Sequence, residues 1–169
     1  MENLKTVIDG GSTSVRGINL IKTRLAFTGR RLQKSSNINR IIVHHTATRD
    51  VHTSVHHNNH VNLGWGGVGY HYIIRSNGDI EIGRPEYLIG VHTRGHNLNS
   101  IGVAISGNLQ RTDMTERQFE SLILLCHDIG TRYKIAEIRK HNDFSRTLCP
   151  GKLFPWDKFL SRMGITWQT

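Results

Sequence analysis

Two side chains near the end of the chain could bind a metal ion together. His141 and Cys149 lie eight positions apart in the segment KHNDFSRTLCPGK, and a proline follows the cysteine. Imidazole nitrogen and thiolate sulfur are donors that zinc takes in proteins. Two ligands do not hold a metal by themselves, so the segment indicates a metal site only if another element supplies a third ligand.

The candidates for the third ligand are His44 and His45, at the end of the apolar run RIIVHH. This run is rich in β-branched residues and predicts a buried strand. Successive side chains of a strand point to opposite faces, so only one of the two histidines can face a given cleft, and the periodicity does not say which. Two histidines and a cysteine leave the fourth position of tetrahedral zinc open, as in a catalytic site.

The first half of the chain shows a helix and a hairpin that could position these residues. The segment DVHTSVHHNNHVNLGW predicts a helix that Asp50 caps and that Gly64 ends. The segment VGYHYIIRSNGDIEIGR predicts a hairpin, because Asn77-Gly78 is the pair that best tolerates the positive φ angles of a type I′ turn. The segments SIGVAISGN and IAEIRKH predict two further strands.

Two helices are predicted in the second half. Thr115 and Gln118 form a capping-box pattern at the start of the first. Its apolar stripe consists of Phe119, Leu122, Ile123, Cys126, Ile129 and Tyr133. The segment FPWDKFLSRMG predicts a short closing helix. Strands that alternate with helices, plus one hairpin, predict an α/β fold, a single domain with a central mixed β-sheet flanked by about three helices.

Charge is concentrated near the N-terminus. The 169-residue chain carries a net charge of +9, and residues 1–40 contribute +6 of it from eight lysines and arginines against two acids. Such an excess favours a polyanionic partner. We interpret residues 1–37 as a basic N-terminal extension packed on a domain of residues 38–169, with a short helix near Gly17–Thr23.

The sequence also predicts a cellular location. The first residues, MENLKTVIDGGSTSV, lack the apolar core of a secretory signal, and no stretch of the chain is apolar enough to span a bilayer. We therefore expect a protein that stays in the reducing cytoplasm until release and does not insert into membranes. Cysteines there are more often thiols or ligands than disulfides. A disulfide between Cys126 and Cys149 is the alternative to the metal site.

Four motifs in order give the chain a resemblance to a known family. They are IIVHHTAT, GWGGVGYHYIIRSNGDIEIGR, GVHTRGHNLNSIGVAISGN and HNDFSRTLCPG. From about Arg40 to about Phe159 the chain resembles the zinc-dependent N-acetylmuramoyl-L-alanine amidases of the type-2 amidase and peptidoglycan-recognition-protein family, especially the short phage lysozyme (endolysin) form. The resemblance implies a zinc hydrolase that cuts the amide between N-acetylmuramic acid and L-alanine in peptidoglycan.

The resemblance also implies a zinc site and a catalytic tyrosine. The zinc ligands of the family match His44, His141 and Cys149, and the catalytic tyrosine of its GYH motif matches Tyr70. Thr147, two positions before the cysteine, stands where phage members carry lysine and catalytic recognition proteins carry threonine, and its hydroxyl is expected to act as a second catalytic donor opposite Tyr70.

The resemblance also implies residues that contact the substrate. By this resemblance, His92 and Asn97 line the substrate groove.

The other histidines, Cys126 and the tryptophans are expected to have structural roles. We expect His45 to pack on the opposite face of its strand, and His71 to face away from its neighbour Tyr70. A solvated or capping role is expected for His52, His56, His57 and His60, and Cys126 is expected to be a core residue. The tryptophans Trp65, Trp156 and Trp167 are interpreted as packing residues or groove walls.

Two other classes of function fit the sequence less well than the amidase. A peptidoglycan-binding module without catalysis typically lacks the cysteine ligand, which this chain keeps. A nucleic-acid-binding protein would suit the charge, but the chain has neither aromatic residues interleaved with cations nor a helix-turn-helix, finger or RNP signature. We therefore expect the chain to bind peptidoglycan, and anionic cell-wall polymers as well, but no nucleic acid. We also expect it to be a monomer.

Overall fold

The structure is a computed structural model that describes residues 6–7, 11–15, 17–29 and 32–165. Arg30, Arg31 and Trp167 lie outside the described residues. The strands are β1 Thr6–Val7, β2 Gly11–Val15, β3 Ile18–Lys22, β4 Ala26–Phe27, β5 Arg40–His45, β6 Tyr72–Ile74, β7 Ile80–Ile82, β8 Ser100–Ile105 and β9 Glu137–Lys140. The helices are α1 Thr53–Asn62, α2 Glu116–Arg132 and α3 Trp156–Arg162, with the 3-10 helix η1 at His141–Asp143.

The described strands form a mixed sheet. Seven of them are ordered β2-β3-β7-β6-β8-β5-β9, and β5 runs parallel to both of its neighbours. β6 pairs antiparallel with β7 and parallel with β8. The predicted α/β fold, with a central mixed sheet and three α-helices in the described part of the chain, is confirmed. In that same part, no helix is both long and apolar enough to cross a membrane.

The sheet has two different faces. One face packs on α2 and α3 and forms the large apolar core, which includes Ile41 and Val43 of β5. We call it the α2 face. On the other face, beside α1, lie His44 and a small cluster of five buried residues, Leu25, Phe27, Val68, Ile73 and Ala104. We call this the α1 face. The alternation along β5 therefore separates core packing from the candidate site.

Helix α2 forms as predicted. The Thr115 hydroxyl accepts from the Gln118 backbone N–H at 3.1 Å, and the Gln118 carboxamide oxygen accepts from the Thr115 N–H at 3.0 Å. This capping box satisfies N–H groups that have no partner within the helix. The predicted stripe is buried from Phe119 to Ile129, and Cys126 lies within it as a core residue.

The helix predicted near Gly17–Thr23 is wrong. Residues Ile18–Lys22 form strand β3, which pairs antiparallel with β2 and parallel with β7. The first residue, Ile18, is buried in the large core, and Thr23 donates its hydroxyl to the Ile82 carbonyl at 2.5 Å. Gly17, with φ of 83°, allows the tight connection before this strand. Pairing with β7, which is distant in sequence, outweighs the local preference.

The cap predicted for helix α1 needs correction. Helix α1 is capped by His52, whose Nδ1 accepts from the Ser54 N–H at 3.1 Å, and not by Asp50. Asp50 instead accepts from Arg75 at 2.6 Å, which helps to lower the pKa of its carboxyl to about 2. Gly64 follows the helix as predicted, with φ of 75°.

The hairpin between β6 and β7 forms, but its turn is not type I′. Gly78 has φ of 91°, whereas Asn77 is not among the residues with positive φ. The Gly78 N–H donates to the Arg75 carbonyl at 2.9 Å. This is the pattern of a type I turn followed by a left-handed glycine.

Candidate metal centre and cleft

The three predicted metal ligands lie together at one edge of the sheet. One ligand atom from each of His44, His141 and Cys149 lies within 4.8 Å of the others. The Cys149 Sγ is 3.5 Å from His44 Nδ1, and the rings of His44 and His141 are 4.6 Å apart. In the part of the chain that the structure describes, this is the one such group of histidine, cysteine or acidic residues.

Parallel strands bring these residues together. β9 pairs parallel with β5, so the residues that follow the two strands meet at the same edge. His44 belongs to the end of β5, and His141 follows β9 directly. The Asn142 N–H donates to the Cys149 carbonyl at 3.0 Å and closes the loop between His141 and Cys149. The backbone N–H of His45 donates to the Cys149 sulfur at 3.3 Å.

An aromatic residue anchors the loop that carries His141. The Phe144 ring stacks on His96, with centroids 4.2 Å apart. The guanidinium carbons of Arg40 and Arg139 lie 5.0 Å and 5.3 Å from the same ring. Cations over an aromatic face are attracted by its quadrupole. These contacts attach the loop to β5 and β9, which carry the two arginines.

The protonation states of the three groups suit a metal. Burial lowers the pKa of His44 and of His141, so both imidazoles are neutral near pH 7. Burial raises the pKa of the Cys149 thiol to about 12. A cation that takes a thiolate and two neutral imidazoles, as zinc does, therefore displaces one proton here. The donor set fits zinc in number and type.

The neighbouring His45 is not part of this group. It is buried on the α2 face, and its Nδ1 accepts from the Leu109 backbone N–H at 3.0 Å. The alternation of β5 therefore gives two adjacent histidines different surroundings. The structure also has Cys126 and Cys149 as free thiols and not as the alternative disulfide.

Tyr70 lies beside the three candidate ligands, His44, His141 and Cys149. Its ring centroid is 5.2 Å from that of His44. Burial, with a smaller effect of Cys149, raises the pKa of the Tyr70 hydroxyl above its ordinary value. The phenol is therefore a neutral hydrogen-bond donor over the physiological range.

His92 and Asn97 contribute in different ways. His92 is buried, and its Nδ1 lies 3.0 Å from His44 Nε2. The Asn97 carboxamide oxygen accepts from the N–H groups of His92 and Thr93, at 3.0 Å and 2.8 Å. Asn97 thus shapes the loop that holds His92. Sequence reasoning missed Thr93, whose hydroxyl lies 3.4 Å from His44 Nε2, although it directly follows a predicted site residue.

Thr147 lies two residues before Cys149. Its hydroxyl oxygen accepts from the Cys149 backbone N–H at 3.3 Å, and the residue is half-buried. Because the hydroxyl accepts in this bond, its own proton remains available to another acceptor.

A cleft of roughly 630 Å³ opens beside the three candidate ligands. Its lining includes Trp65, His92, Thr93, Asn97 and His141. Trp65 is thus a groove wall, as interpreted. Trp156 packs instead against Phe154 and Phe159, at 5.7 Å and 5.5 Å.

The solvated or capping role expected for the histidines at α1 is only partly correct. His52 does cap the helix. His56 and His57, however, are buried where α1 packs on the sheet. His57 Nδ1 and His60 Nδ1 accept from the N–H groups of Val68 and Gly69, at 3.3 Å and 3.0 Å. These bonds attach α1 to the segment that leads to Tyr70.

Comparisons with known proteins agree with this geometry. Residues 34–152 match a family model described as N-acetylmuramoyl-L-alanine amidase. The endolysin of Enterobacteria phage K11 is 32% identical over 125 residues, which span 69% of this chain and 83% of that protein. The endolysin of Enterobacteria phage T3 is 36% identical over 96 residues, 54% of this chain. The aligned part spans 64% of the T3 protein, less than two thirds of its length.

A solved structure shows a similar fold. The N-acetylmuramoyl-L-alanine amidase LysC from Clostridium intestinale URNW superposes with a TM-score of 0.78 at 34% sequence identity. The superposition covers 80% of this chain and 91% of LysC.

Proposed function

This chain belongs to the N-acetylmuramoyl-L-alanine amidase family, and on that premise we propose that it hydrolyses one amide bond of peptidoglycan. The bond joins the lactyl group of N-acetylmuramic acid to L-alanine of the stem peptide. Its cleavage separates the glycan from the peptide cross-links and weakens the wall. The chain would thus act as a cell-wall-lytic enzyme of the endolysin type.

The observation that carries this proposal is the convergence of His44, His141 and Cys149 next to the Tyr70 phenol. Two neutral imidazoles and one thiol would hold zinc. When bound, zinc supplies Lewis acidity that polarises a carbonyl and activates water. With zinc on Nδ1 of His44, which faces the Cys149 sulfur, the proton of this imidazole would lie on Nε2 and would be donated to His92 Nδ1, 3.0 Å away. His92 therefore fixes the tautomer and the ring orientation of His44.

The other side chains act on the substrate amide. As water adds to the carbonyl, negative charge develops on its oxygen, and the neutral Tyr70 hydroxyl donates a hydrogen bond to that oxygen. Such a donor is effective because the phenol is partly buried, and electrostatic interactions away from water are stronger than in water. Thr147, beside Cys149, can donate its free hydroxyl proton from the other side. His92 and Asn97 belong to the wall of the cleft that receives the muramyl peptide.

The proposal is tested by the products of digestion. Purified protein is incubated with peptidoglycan, and the soluble products are analysed by mass spectrometry and N-terminal labelling. We expect stem peptides with a free L-alanine N-terminus and uncut glycan strands. A chelator should abolish the reaction, and zinc should restore it. Products cut at glycosidic bonds, full activity in chelator, or binding to peptidoglycan without any product would each contradict the proposal.

We further propose that the basic N-terminal region attracts anionic wall polymers, that the enzyme is a monomer, and that it stays in the cytoplasm until release. The charge of residues 1–40 supports the first point, since attraction acts over a Debye length of about 8 Å at physiological ionic strength. Reversal of Arg30, Arg31 and Lys34 to glutamate should weaken wall binding and lysis at low salt and leave the hydrolysis of soluble muropeptides intact. Unchanged lysis, or loss of activity on soluble substrate, would disprove electrostatic attraction.

A further inference from the structure

A segment of the N-terminal region packs behind the wall of the cleft. We call residues 23–29 the N-terminal strap, which precedes the matched region that begins at residue 34. Phe27 in the strap is fully buried, and Leu25 is nearly so. Both belong to the small cluster on the α1 face, against which Tyr70 packs. The strap is therefore part of the apolar support of Tyr70.

The strap fits closely against the glycines that follow α1. The Thr28 N–H donates to the Gly66 carbonyl at 3.0 Å. A Cβ on Gly66 would lie 2.4 Å from the Thr28 carbonyl oxygen, and a Cβ on Gly67 would lie 2.4 Å from Cδ1 of Phe27. Both glycines have positive φ, 75° and 139°. Since a larger residue fits at neither position without displacement, the loop and the strap are matched in shape.

Phe27 also contacts a buried cation that holds the same loop. The guanidinium carbon of Arg84, a fully buried residue, lies 5.6 Å from the Phe27 ring centroid. Its N–H groups donate to the carbonyls of Trp65, Gly67 and Val68 at 2.7, 3.2 and 2.9 Å. Burial lowers the pKa of Arg84 to about 10, so it remains charged at neutral pH. An aromatic face stabilises such a desolvated cation.

The segment that Arg84 holds continues directly into the site. Trp65 lines the cleft, and Val68 packs in the same small cluster as Phe27. Two residues further, the Tyr70 ring lies 5.2 Å from the His44 ring. The contacts therefore run without a gap from Phe27 and Arg84, through residues 65–68, to Tyr70.

We infer that Phe27 is a positioning residue for the hydrolysis proposed above: together with Arg84, it holds residues 65–70 so that the Tyr70 ring keeps its place beside His44. The inference rests on the proposed function. It gives the region ahead of the family match a part in the reaction through its apolar side chains, separately from its charge.

The test compares Phe27→Leu with Phe159→Leu, a matched control because Phe159 is also fully buried but lies on the α2 face. Zinc content, thermal unfolding and kcat on a soluble muropeptide are measured well below the unfolding temperature. We expect full zinc content and about tenfold lower kcat for Phe27→Leu, since a small displacement of a reacting group is costly. Phe159→Leu should keep kcat within about twofold, because it alters stability only.

A double-mutant cycle adds a readout that a purely structural role would not change. In a Tyr70→Phe background, adding Phe27→Leu should lower kcat by less than about twofold relative to Tyr70→Phe alone, because its effect acts through the Tyr70 hydroxyl. Equal loss in both backgrounds, or equal kcat for Phe27→Leu and the control, would overturn the inference. Should Phe27→Leu not fold, Phe27→Met is measured in the same cycle. A wild-type enzyme that releases no alanine-ended peptides would instead refute the proposed function itself.

Discussion

The two faces of the central sheet come from the same strands but carry different residues. On the α2 face, β8 presents three buried aliphatic side chains, Ile101, Val103 and Ile105. On the α1 face the same strand presents Gly102 and Ala104. A Cβ on Gly102 would lie 2.6 Å from the His92 ring. The small residues therefore leave the space that the histidines of the site occupy.

The difference shows how one strand can serve both stability and chemistry. Apolar burial on the α2 face stabilises the folded state, and a polar group buried there without a hydrogen-bond partner would destabilise it. The α1 face buries the polar rings of His44, His71 and His92, and each of these has a hydrogen-bond partner. His71, fully buried, accepts from the Gly102 N–H and donates to the Leu88 carbonyl, both at 3.0 Å. Substitutions on the two faces should therefore have separable effects.

The largest difference is expected between the adjacent histidines of β5. His44→Ala removes a proposed zinc ligand and should abolish both zinc binding and hydrolysis. His45→Asn, which keeps an acceptor for the Leu109 N–H, should retain one zinc per chain and most of the activity. The metal content is measured by elemental mass spectrometry and the activity on muropeptides. The reverse result would mean that the other face of β5 carries the site.

A truncation on the α2 face should affect stability alone. Leu122 is fully buried in the large core. Leu122→Ala should lower the free energy of unfolding by about 2–5 kcal/mol, because it removes apolar contacts and leaves a cavity. Urea unfolding measures this loss. Zinc content and kcat of the folded protein should match the wild type, and a change in either would show that the two faces are coupled.

The buried histidines of the α1 face should make the metal-free protein sensitive to acid. Burial lowers the pKa of His71 to about 4, below the value of about 6.5 expected in the unfolded chain. The folded state thus binds this proton less readily, so its stability is complete above pH 6.5 and declines as the pH falls toward 4. The loss from this one group approaches about 3 kcal/mol.

Urea unfolding of the chelated protein between pH 7 and pH 4 measures this decline. His71→Gln should be less stable at pH 7 and should show a shallower dependence on pH than the wild type. An identical slope in the two proteins would exclude His71 as a source of the acid sensitivity.

The smallest of these effects in free energy concerns the Tyr70 hydroxyl. Tyr70→Phe keeps the ring beside His44 and should keep the zinc, but kcat should fall about 100-fold, as is usual for loss of one donor to a developing oxyanion. Thr147→Val should reduce kcat less. Steady-state kinetics on a soluble muropeptide measure both. Wild-type turnover in Tyr70→Phe would reduce Tyr70 to a packing residue.

The sequence alone determined the features that depend on near neighbours in the chain. The β-branched run of β5, the capping box of α2 and the spacing of His141 and Cys149 are local patterns, and each predicts its element or its chemistry directly. The order of four motifs also identified the family. These signals are strong because periodicity and capping act over a few residues.

Tertiary structure decided what depends on residues distant in sequence. Spacing left His44 and His45 equivalent, and only the pairing of β5 with β8 and β9 determines which face meets Cys149. Residues 18–22 were predicted as a helix but pair with β7 about sixty residues later. The sequence pattern around Phe27 predicts no partner for its ring, and the contact with Arg84 is visible only in the folded chain. These features follow from burial and hydrogen bonding across the whole sheet. The free energy gained there exceeds the local secondary-structure propensity of any one segment, and a short window of sequence does not contain the residues that supply it.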